Sequence, residues 1–471
     1  MCMENKKRKI LLLSDDLRLH SGIATVSRDL VLGSVHKYDW VQLGAAINHP
    51  DKGKVFDLSE DTAKLTGVPD ANVKIYAHDS YGNPLVLRSL LDAEQPDAVL
   101  HFTDPRFWDW LYAMEHELRG KIPLLYLNIW DDLPDPWWNR QAYASCDLLM
   151  AISKQTYGIN QRVLSRYGEP TDGRITYVPH GINSEIFKPL SPDDPAYPVF
   201  ETENNKFRKD NKDRFIVFWN NRNLHRKHPG DVVLAYTEFC NMVKANGGDP
   251  STECLLFMHT APIDPNGTDI TAVIDELCPY QVAFSTGTLS PQQMNILYNI
   301  ADVTINIASN EGFGLTTAES LMAGTPIVVN VTGGLQDQCG FINPETGKYF
   351  TEDDYVTVGS LHRREEWKDV LKEKHGEWVI PVWPSNLSLQ GSPPTPYIFD
   401  DRASYQESAS ALYEWYSMSK EERKERGLRG REFMVGESNM SRDNMCRLAI
   451  DSIESCLQTF TPRSRWEMFL V

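Results

Sequence analysis

Short apolar runs, each closed by a polar turn and followed by a longer helical stretch, recur along the whole of this 471-residue chain. The first series is Lys9–Leu13, Ala98–Phe102, Pro123–Ile129, Leu148–Ile152 and Ile175–Val178. The second begins at Phe215–Trp219 and continues through Cys254–Met258, Gln281–Phe284, Val303–Ile307 and Pro326–Val331. Strands that are apolar throughout, instead of alternating, suit parallel sheets covered by helices on both faces. The pattern predicts an α/β chain in two similar halves: residues 1–190, a Pro-, Asp-, Asn- and Lys-rich linker at 191–213, and a second half over 214–445. A helix is expected from about Ile23 to Leu32. An insertion with charged helical stretches is expected at about 340–378, and helices over 403–434 and 441–457. Residues 446–471 read as a terminal helix and tail that pack back on the first half.

Composition narrows the class. Hydrophobic residues make up 41% and charged residues 24%, which excludes a disordered or fibrous chain. Asp and Glu number 65 against 47 Lys and Arg, a formal charge of -18. Such a surface repels polyanions at long range and argues against a general nucleic-acid binder, while leaving room for a local basic cleft. No stretch reads as a membrane span: Leu277–Ala301, the longest uncharged segment, is broken by Pro279 and Pro291. Ile10–Leu13 is too short for the apolar core of a signal peptide. Eight scattered cysteines without a C-x-x-C fit reduced thiols, hence a cytoplasmic protein.

Three segments could carry chemistry. In Ser309–Pro326 an apolar run gives way to a polar, glycine-bearing turn, with a helix starting near Phe313–Leu315. Unpaired amides and the dipole at a helix start attract anions, and glycines let the backbone come close to a phosphate. Glu311 lies in the loop and Glu319 about one turn into the helix, so both can reach one ligand. In Trp219–Gly230, Arg222 and Lys227 stand five apart across a turn, a fork and a point charge that suit a diphosphate. In Leu13–Thr25, Gly22 sits in the loop after the first strand, where α/β folds bind ligands. From the residues alone, a plain strand–loop–helix unit with surface glutamates explains Ser309–Pro326 equally well, and a solvated basic loop explains Trp219–Gly230 better than a phosphate clamp does. Neither a G-x-G-x-x-G nor a P-loop is present.

Together these segments resemble the retaining glycosyltransferases of family 4, which have a GT-B fold of two Rossmann-like domains facing each other across a cleft. Glu311 and Glu319 match the family's E-x7-E, set in S-N-E-G-F-G-L…E-S-L-M-A-G-T-P, and Arg222 and Lys227 match its diphosphate pair. Val331–Leu335, Cys146–Ser153 and Val178–Phe187 are similar to weaker family segments, in the family's order. The resemblance implies transfer of a sugar from a nucleotide-diphosphate donor to an acceptor hydroxyl, with configuration kept. It implies an N-terminal acceptor domain and a C-terminal donor domain. It implies a donor such as a UDP-sugar (GDP- or ADP-sugar also fit), and no metal or other cofactor.

Position by position, Arg222 and Lys227 would bind the diphosphate, and Glu311 would touch the transferred sugar. Backbone amides of Phe313, Gly314 and Leu315 would hold oxygens of the donor, and Glu319 would accept from the ribose hydroxyls. Thr286, after Phe284 and Ser285, would flank the base, and Gly22 would let the first half approach the diphosphate. The family's first-half histidine has no obvious match, because Trp130 or Asp131 occupies that place; His101 is the candidate substitute. Asp104, Trp130 and Asp131 are acceptor-side candidates, within a region that also holds Trp108, Trp110, Trp137 and Trp138. Asp131 and Asp132 are adjacent but, beside the Arg/Lys pair, are not assigned to a metal. The acceptor stays open between a glycan, a lipid-linked sugar and a small metabolite. A hydroxymethylated base in DNA is the alternative, with Lys206, Arg208, Lys209, Lys212 and Arg214 as a basic run that could meet it. A nucleotide-sugar epimerase, a phosphorylase and a catalytically silent scaffold are the other readings. Oligomeric state is not legible.

Overall fold

The computed structural model describes residues 6–46, 51–209 and 214–463. The first-half sheet contains β1 (Arg8–Asp15), β2 (Tyr38–Ala45), β3 (Val55–Asp57), β4 (Val73–Ala77), β5 (Ala98–Phe102), β6 (Leu124–Asn128), β7 (Leu148–Ala151) and β8 (Ile175–Tyr177). Their order is β3-β4-β2-β1-β5-β6-β7-β8, parallel except for β3 on β4. The second sheet contains β9 (Phe215–Asn220), β10 (Cys254–His259), β11 (Val282–Ser285), β12 (Val303–Asn306), β13 (Ile327–Asn330) and β14 (Val379–Val382). It is parallel, in the order β11-β10-β9-β12-β13-β14. A hairpin, β15 (Pro384–Ser392) and β16 (Thr395–Ala403), follows.

The helices that matter below are α1 (Gly22–Ser34), α2 (Lys154–Ser165), α3 (Tyr197–Arg208), α4 (Leu315–Met322), α5 (Leu335–Gln338), α6 (Tyr405–Ser417), α7 (Lys420–Val435) and α8 (Arg442–Thr459). None among the described residues is long and apolar enough to cross a membrane.

The apolar runs form strands because both of their faces are covered. On β1, Ile10 and Leu12 join one buried cluster and Leu11 and Leu13 another. On β9, Phe215, Val217 and Trp219 face one side while Ile216 and Phe218 face the other. The cluster holding Ile10 and Leu12 continues into Val178, Phe313 and Leu335, so apolar packing runs through both halves.

Several elements carry weaker sequence signals. β2 holds a buried Gln42 whose amide donates to Ser14 Oγ and the Asp15 carbonyl, both at 2.8 Å, so a polar residue interrupts an otherwise apolar strand. The stretch read as a linker contains α3, whose Arg208 reaches the Arg214 carbonyl at 2.7 Å and the Ile300 carbonyl at 2.9 Å. Arg214 in turn donates to the Cys254 carbonyl at 2.7 Å. Two members of the basic run thus tie the end of the linker to the second half, while Lys212 lies outside the described residues. The 403–434 stretch is two helices, parted where Ser419 caps α7 through the Glu422 amide. The 340–378 stretch holds only short helices, Asp354–Val358 and Glu365–Leu371 among them. The far-terminal helix α8 packs against α1: a Cβ on Gly33 would lie 2.3 Å from Cys446 Sγ, and Tyr38 donates to Glu454 at 2.9 Å.

The helix α4 is seated by α7 through a glycine. A Cβ at Gly427 would stand 2.1 Å from the Gly324 carbonyl oxygen. Helix propensity alone would make Gly427→Ala stabilising by roughly 1 kcal/mol. The backbone collision outweighs that, since forced overpacking costs about 1–3 kcal/mol. Gly427→Ala should therefore lower the thermal midpoint, whereas Gly436→Ala, just past the helix end, should move it less; calorimetry on both variants checks this.

Candidate active site

Topology places the site before any side chain is considered. In the second sheet the chain moves outward from β9 through β10 to β11, then returns to place β12 on the other side of β9. The loops at the carboxyl ends of β9 and β12 therefore diverge and leave a crevice, the usual ligand position in open α/β sheets. Lys227 lies in the first loop and Glu311 in the second. The Ser309 amide donates to the Arg226 carbonyl at 2.9 Å, which stitches the two loops together.

Lys227 Nζ donates to Glu311 Oε1, and both side chains are about nine-tenths buried. Asn306, at the end of β12, donates to the same oxygen at 3.1 Å. Arg226 lies 3.5 Å from Glu311 Oε2 and donates to the Asn310 carbonyl at 2.7 Å. Burial alone would raise the Glu311 carboxyl; Lys227 and Arg226 overcome it and hold it at about 2. Burial and Arg226 pull Lys227 down to about 8 despite Glu311. Asp131 of the first half shares this field: burial lifts it to about 6, against the pull of Arg226 and with Glu311 adding to the rise. Its neighbour Asp132 is raised well above the carboxylate range by burial and by Asp131.

The loop after β13 closes this cluster from the side. Gly333 has φ +48°, and a Cβ there would lie 2.2 Å from the Glu311 carbonyl oxygen and 3.5 Å from Asp131 Cβ. Only glycine fits so close an approach in that conformation. The Gly334 amide donates to the same Glu311 carbonyl at 2.8 Å.

Helix α4 opens at Gly314, which has φ +86° and caps without a side chain. Gln338 secures the turn by donating to the Phe313 and Gly314 carbonyls at 2.7 and 3.0 Å. The start of α1 faces it: a Cβ on Gly22 would come 3.4 Å from Leu315 Cδ1. Two helix N-termini, each rich in unpaired amides, thus point into one cleft. One turn along α4, Glu319 accepts from the Tyr298 hydroxyl at 2.8 Å, which itself accepts from Asn220 at 2.9 Å. Burial raises Glu319 to about 7, with Tyr298 opposing.

The structure brings Lys227, Glu311, Asp131, Gly22, Phe313, Gly314, Leu315 and Glu319 to this cleft. Others it holds apart. Arg222 is 66% exposed on its side chain and pairs with Asp264 at 3.2 Å, so the guanidinium beside Glu311 belongs to Arg226. Arg226 was legible only as another cation in a basic loop. His101 is fully buried, with Nδ1 at 2.6 Å from the Tyr112 hydroxyl and Nε2 at 3.0 Å from Thr103 Oγ1. Its ring stacks on Tyr126, and burial lowers it to about 3, so it offers no polar atom to a substrate. Asp104 caps the short turn Pro105–Phe107 and is forked by Arg106. Trp130 is buried and donates to the Asp132 carbonyl at 2.9 Å. Trp108 is wholly buried, while Trp137 and Trp138 line an outer groove of about 690 Å³ on the first half. Thr286 is exposed beyond β11, the edge strand, away from the Lys227–Glu311 cluster.

Residues 277–348 match the family described as Glycosyl transferases group 1, a segment that includes the Glu311 loop, α4 and the Gly333 turn. The alpha-monoglucosyldiacylglycerol synthase of Acholeplasma laidlawii is 25% identical over 195 residues, covering 41% of this chain and 43% of that protein. The D-inositol 3-phosphate glycosyltransferase of Acidothermus cellulolyticus is 26% identical over 217 residues, covering 43% of each. The matched region thus spans less than half the length of these curated relatives. Among solved structures, Anabaena Alr3699/HepE in complex with UDP and glucose aligns with TM-score 0.62 at 13% identity, over 95% of this chain and 100% of that one. Sucrose-phosphate synthase from Thermosynechococcus elongatus aligns with TM-score 0.62 at 14% identity, over 95% and 98%. The fold is GT-B, and the chain carries a group 1 glycosyltransferase segment.

Removing one partner of a buried ion pair strands the other and costs about 3–5 kcal/mol, whereas replacing both by apolar groups does not. Glu311→Leu alone should therefore destabilise far more than Glu311→Leu with Lys227→Met. Denaturant unfolding of the single and double variants measures the coupling. The Glu311 contribution should be present above its unfolded value of about 4.5 and lost as pH falls through about 2.

Proposed function

We propose that the chain is a retaining glycosyltransferase that moves a sugar from a nucleotide-diphosphate donor to an acceptor hydroxyl. The observation that carries this reading is the buried Lys227–Glu311 pair beside the N-terminus of α4, inside the segment that matches group 1 glycosyltransferases. A diphosphate laid across the α4 start would meet the backbone amides that follow Gly314 and the Lys227 ammonium. The UDP and glucose in the Anabaena structure support a UDP-sugar as donor.

In this reading the bond from the anomeric carbon to the diphosphate breaks, and the acceptor oxygen bonds to the same face. The acceptor proton passes to the leaving phosphate oxygen. Lys227 stabilises the charge that grows on the diphosphate, an electrostatic contribution strengthened by burial. Glu311, ionised and fixed by Lys227, Asn306 and Arg226, orients the transferred sugar. Arg226 is a positioning residue for Glu311. Asp131 and the Gly333 turn shape the acceptor side. Apolar packing shared by the halves keeps water from the reacting centre.

Three outcomes test the roles. Lys227→Ala and Glu311→Gln should each lower the transfer rate by at least ~100-fold, the scale of losing one stabilising donor; near-normal turnover with a panel of UDP-, GDP- and ADP-sugars in both variants would overturn the proposal. Arg226→Ala should cost more rate than Arg222→Ala, because only Arg226 reaches Glu311. Glu319 titrates near 7, and ribose hydroxyls donate best to its carboxylate. Donor affinity should therefore tighten as pH rises toward 7, by no more than roughly tenfold per unit, and level off above it. Glu319→Gln should bind more weakly with a flat profile, as read by calorimetry across pH.

A further inference from the structure

A second cavity, of about 520 Å³, lies away from the Lys227–Glu311 cluster, where the chain crosses between its halves. There the segment after β8 pairs with the segment joining α7 to α8. Ile182 donates to the Met440 carbonyl at 3.0 Å, and Arg442 donates to the Ile182 carbonyl at 2.9 Å. Lys154 and Tyr177 of the first half, Asp337, Tyr349 and Phe433 of the second, and Ser438 of the segment joining α7 to α8 all line the cavity. Any molecule held there would touch both halves and their joint at once.

The lining has a specific unmet need. Asp337 is 2% exposed, and its Oδ2 accepts from the Lys154 amide and the Tyr177 hydroxyl, both at 3.0 Å. Its Oδ1 is buried and meets no donor among the described residues. A buried acceptor left unpaired is costly, so a ligand that supplies it with a donor is favoured. Beside it stand aromatic rings: Tyr349 lies 5.4 Å from Phe433, centroid to centroid, with Phe341 also on the wall. Lys348, Glu352 and Glu437 mix both signs of charge at the rim. Hydroxyl donors for a carboxylate and apolar C–H faces for aromatic rings describe a sugar, and three carboxylates in the lining (Asp337, Glu352, Glu437) against two ammoniums (Lys154, Lys348) disfavour a phosphorylated one.

The cavity is mechanically joined to the active site through α5. Gln336, next to Asp337, donates to Gln155 Oε1 at 2.9 Å, and Gln155 donates to the Asp131 carbonyl. On the other side of Asp337, Gln338 holds the Phe313 and Gly314 carbonyls. A ligand on Asp337 therefore bears on both walls of the cleft.

We propose that this cavity is an effector site for a neutral mono- or disaccharide, bound through Asp337 and the Tyr349–Phe433 wall, which braces the two halves against each other. The assignment is independent of transfer activity and is tested by binding. The full chain is titrated with glucose and with maltose by calorimetry, with glucose 6-phosphate as the charged comparison. One neutral sugar should bind at one site per chain. Asp337→Asn is isosteric, keeps an oxygen for the Lys154 and Tyr177 donors, and turns Oδ1 into a donor, so affinity should fall at least tenfold. Tyr349→Ala, on the partly open wall, should weaken binding without depending on Asp337. Lys227→Met, which removes the proposed diphosphate contact, should leave sugar binding unchanged. Absence of binding by both neutral sugars, binding of the phosphate alone, unchanged affinity in Asp337→Asn and Tyr349→Ala, or loss of binding in Lys227→Met would each overturn the proposal.

Discussion

The ion pair between Lys227 and Glu311 is the interaction around which the rest of this molecule is arranged. Two opposite charges withdrawn from water are tolerated only when each is the other's partner and the remaining lone pairs are satisfied. Asn306 and Arg226 supply that satisfaction, and both depend on how β9 and β12 end. Those ends diverge because the chain reverses direction across β9. The pair is thus a consequence of strand order as much as of the two residues, and it sets the charge of everything near it. Asp131 reaches it from the other half, so the field is completed only when the two halves meet.

Close approach is the second constraint, and glycines carry it where side chains would block it. Gly333 admits the Glu311 backbone, and Gly427 seats the helix that holds α4. Each stands at a contact between separate elements, so a methyl group at either of them moves a wall of the cleft. The four-residue helix α5 does the opposite work with polar side chains. Gln336, Asp337 and Gln338 point to three different neighbours and bind the Gly333 turn, the first half and the α4 start into one unit. That arrangement links the second cavity to the cleft around Lys227 and Glu311 through consecutive residues of one short helix.

Much of this was written in residue patterns. Continuous apolar runs betrayed the strands buried on both faces, and the Glu311…Glu319 spacing with a glycine-bearing turn marked the helix start. What stayed hidden was hidden for physical reasons. β15 is exposed along most of its length, so it has no apolar signature, and it is held instead through its partner strand, where the Phe399 amide donates to the Leu133 carbonyl at 2.7 Å. β2 carries a buried glutamine paired across the sheet, which no hydrophobic count rewards. Arg226 and Arg222 look alike in a basic loop; only the three-dimensional turn decides that one faces Glu311 and the other Asp264. His101 looks like a cleft histidine at a strand end until both of its nitrogens are seen to be engaged inside the core.

In the proposed function the buried Lys227 ammonium meets the second phosphate of a nucleotide. Calorimetric titration of the full chain with UDP and with UMP isolates that phosphate, because the two ligands share base, ribose and first phosphate. UDP should bind at least tenfold more tightly than UMP, a difference of about 1.4 kcal/mol, and Lys227→Met should remove most of the gap while leaving UMP affinity nearly unchanged. Equal affinity for the two nucleotides, or a gap that survives Lys227→Met, would contradict that role.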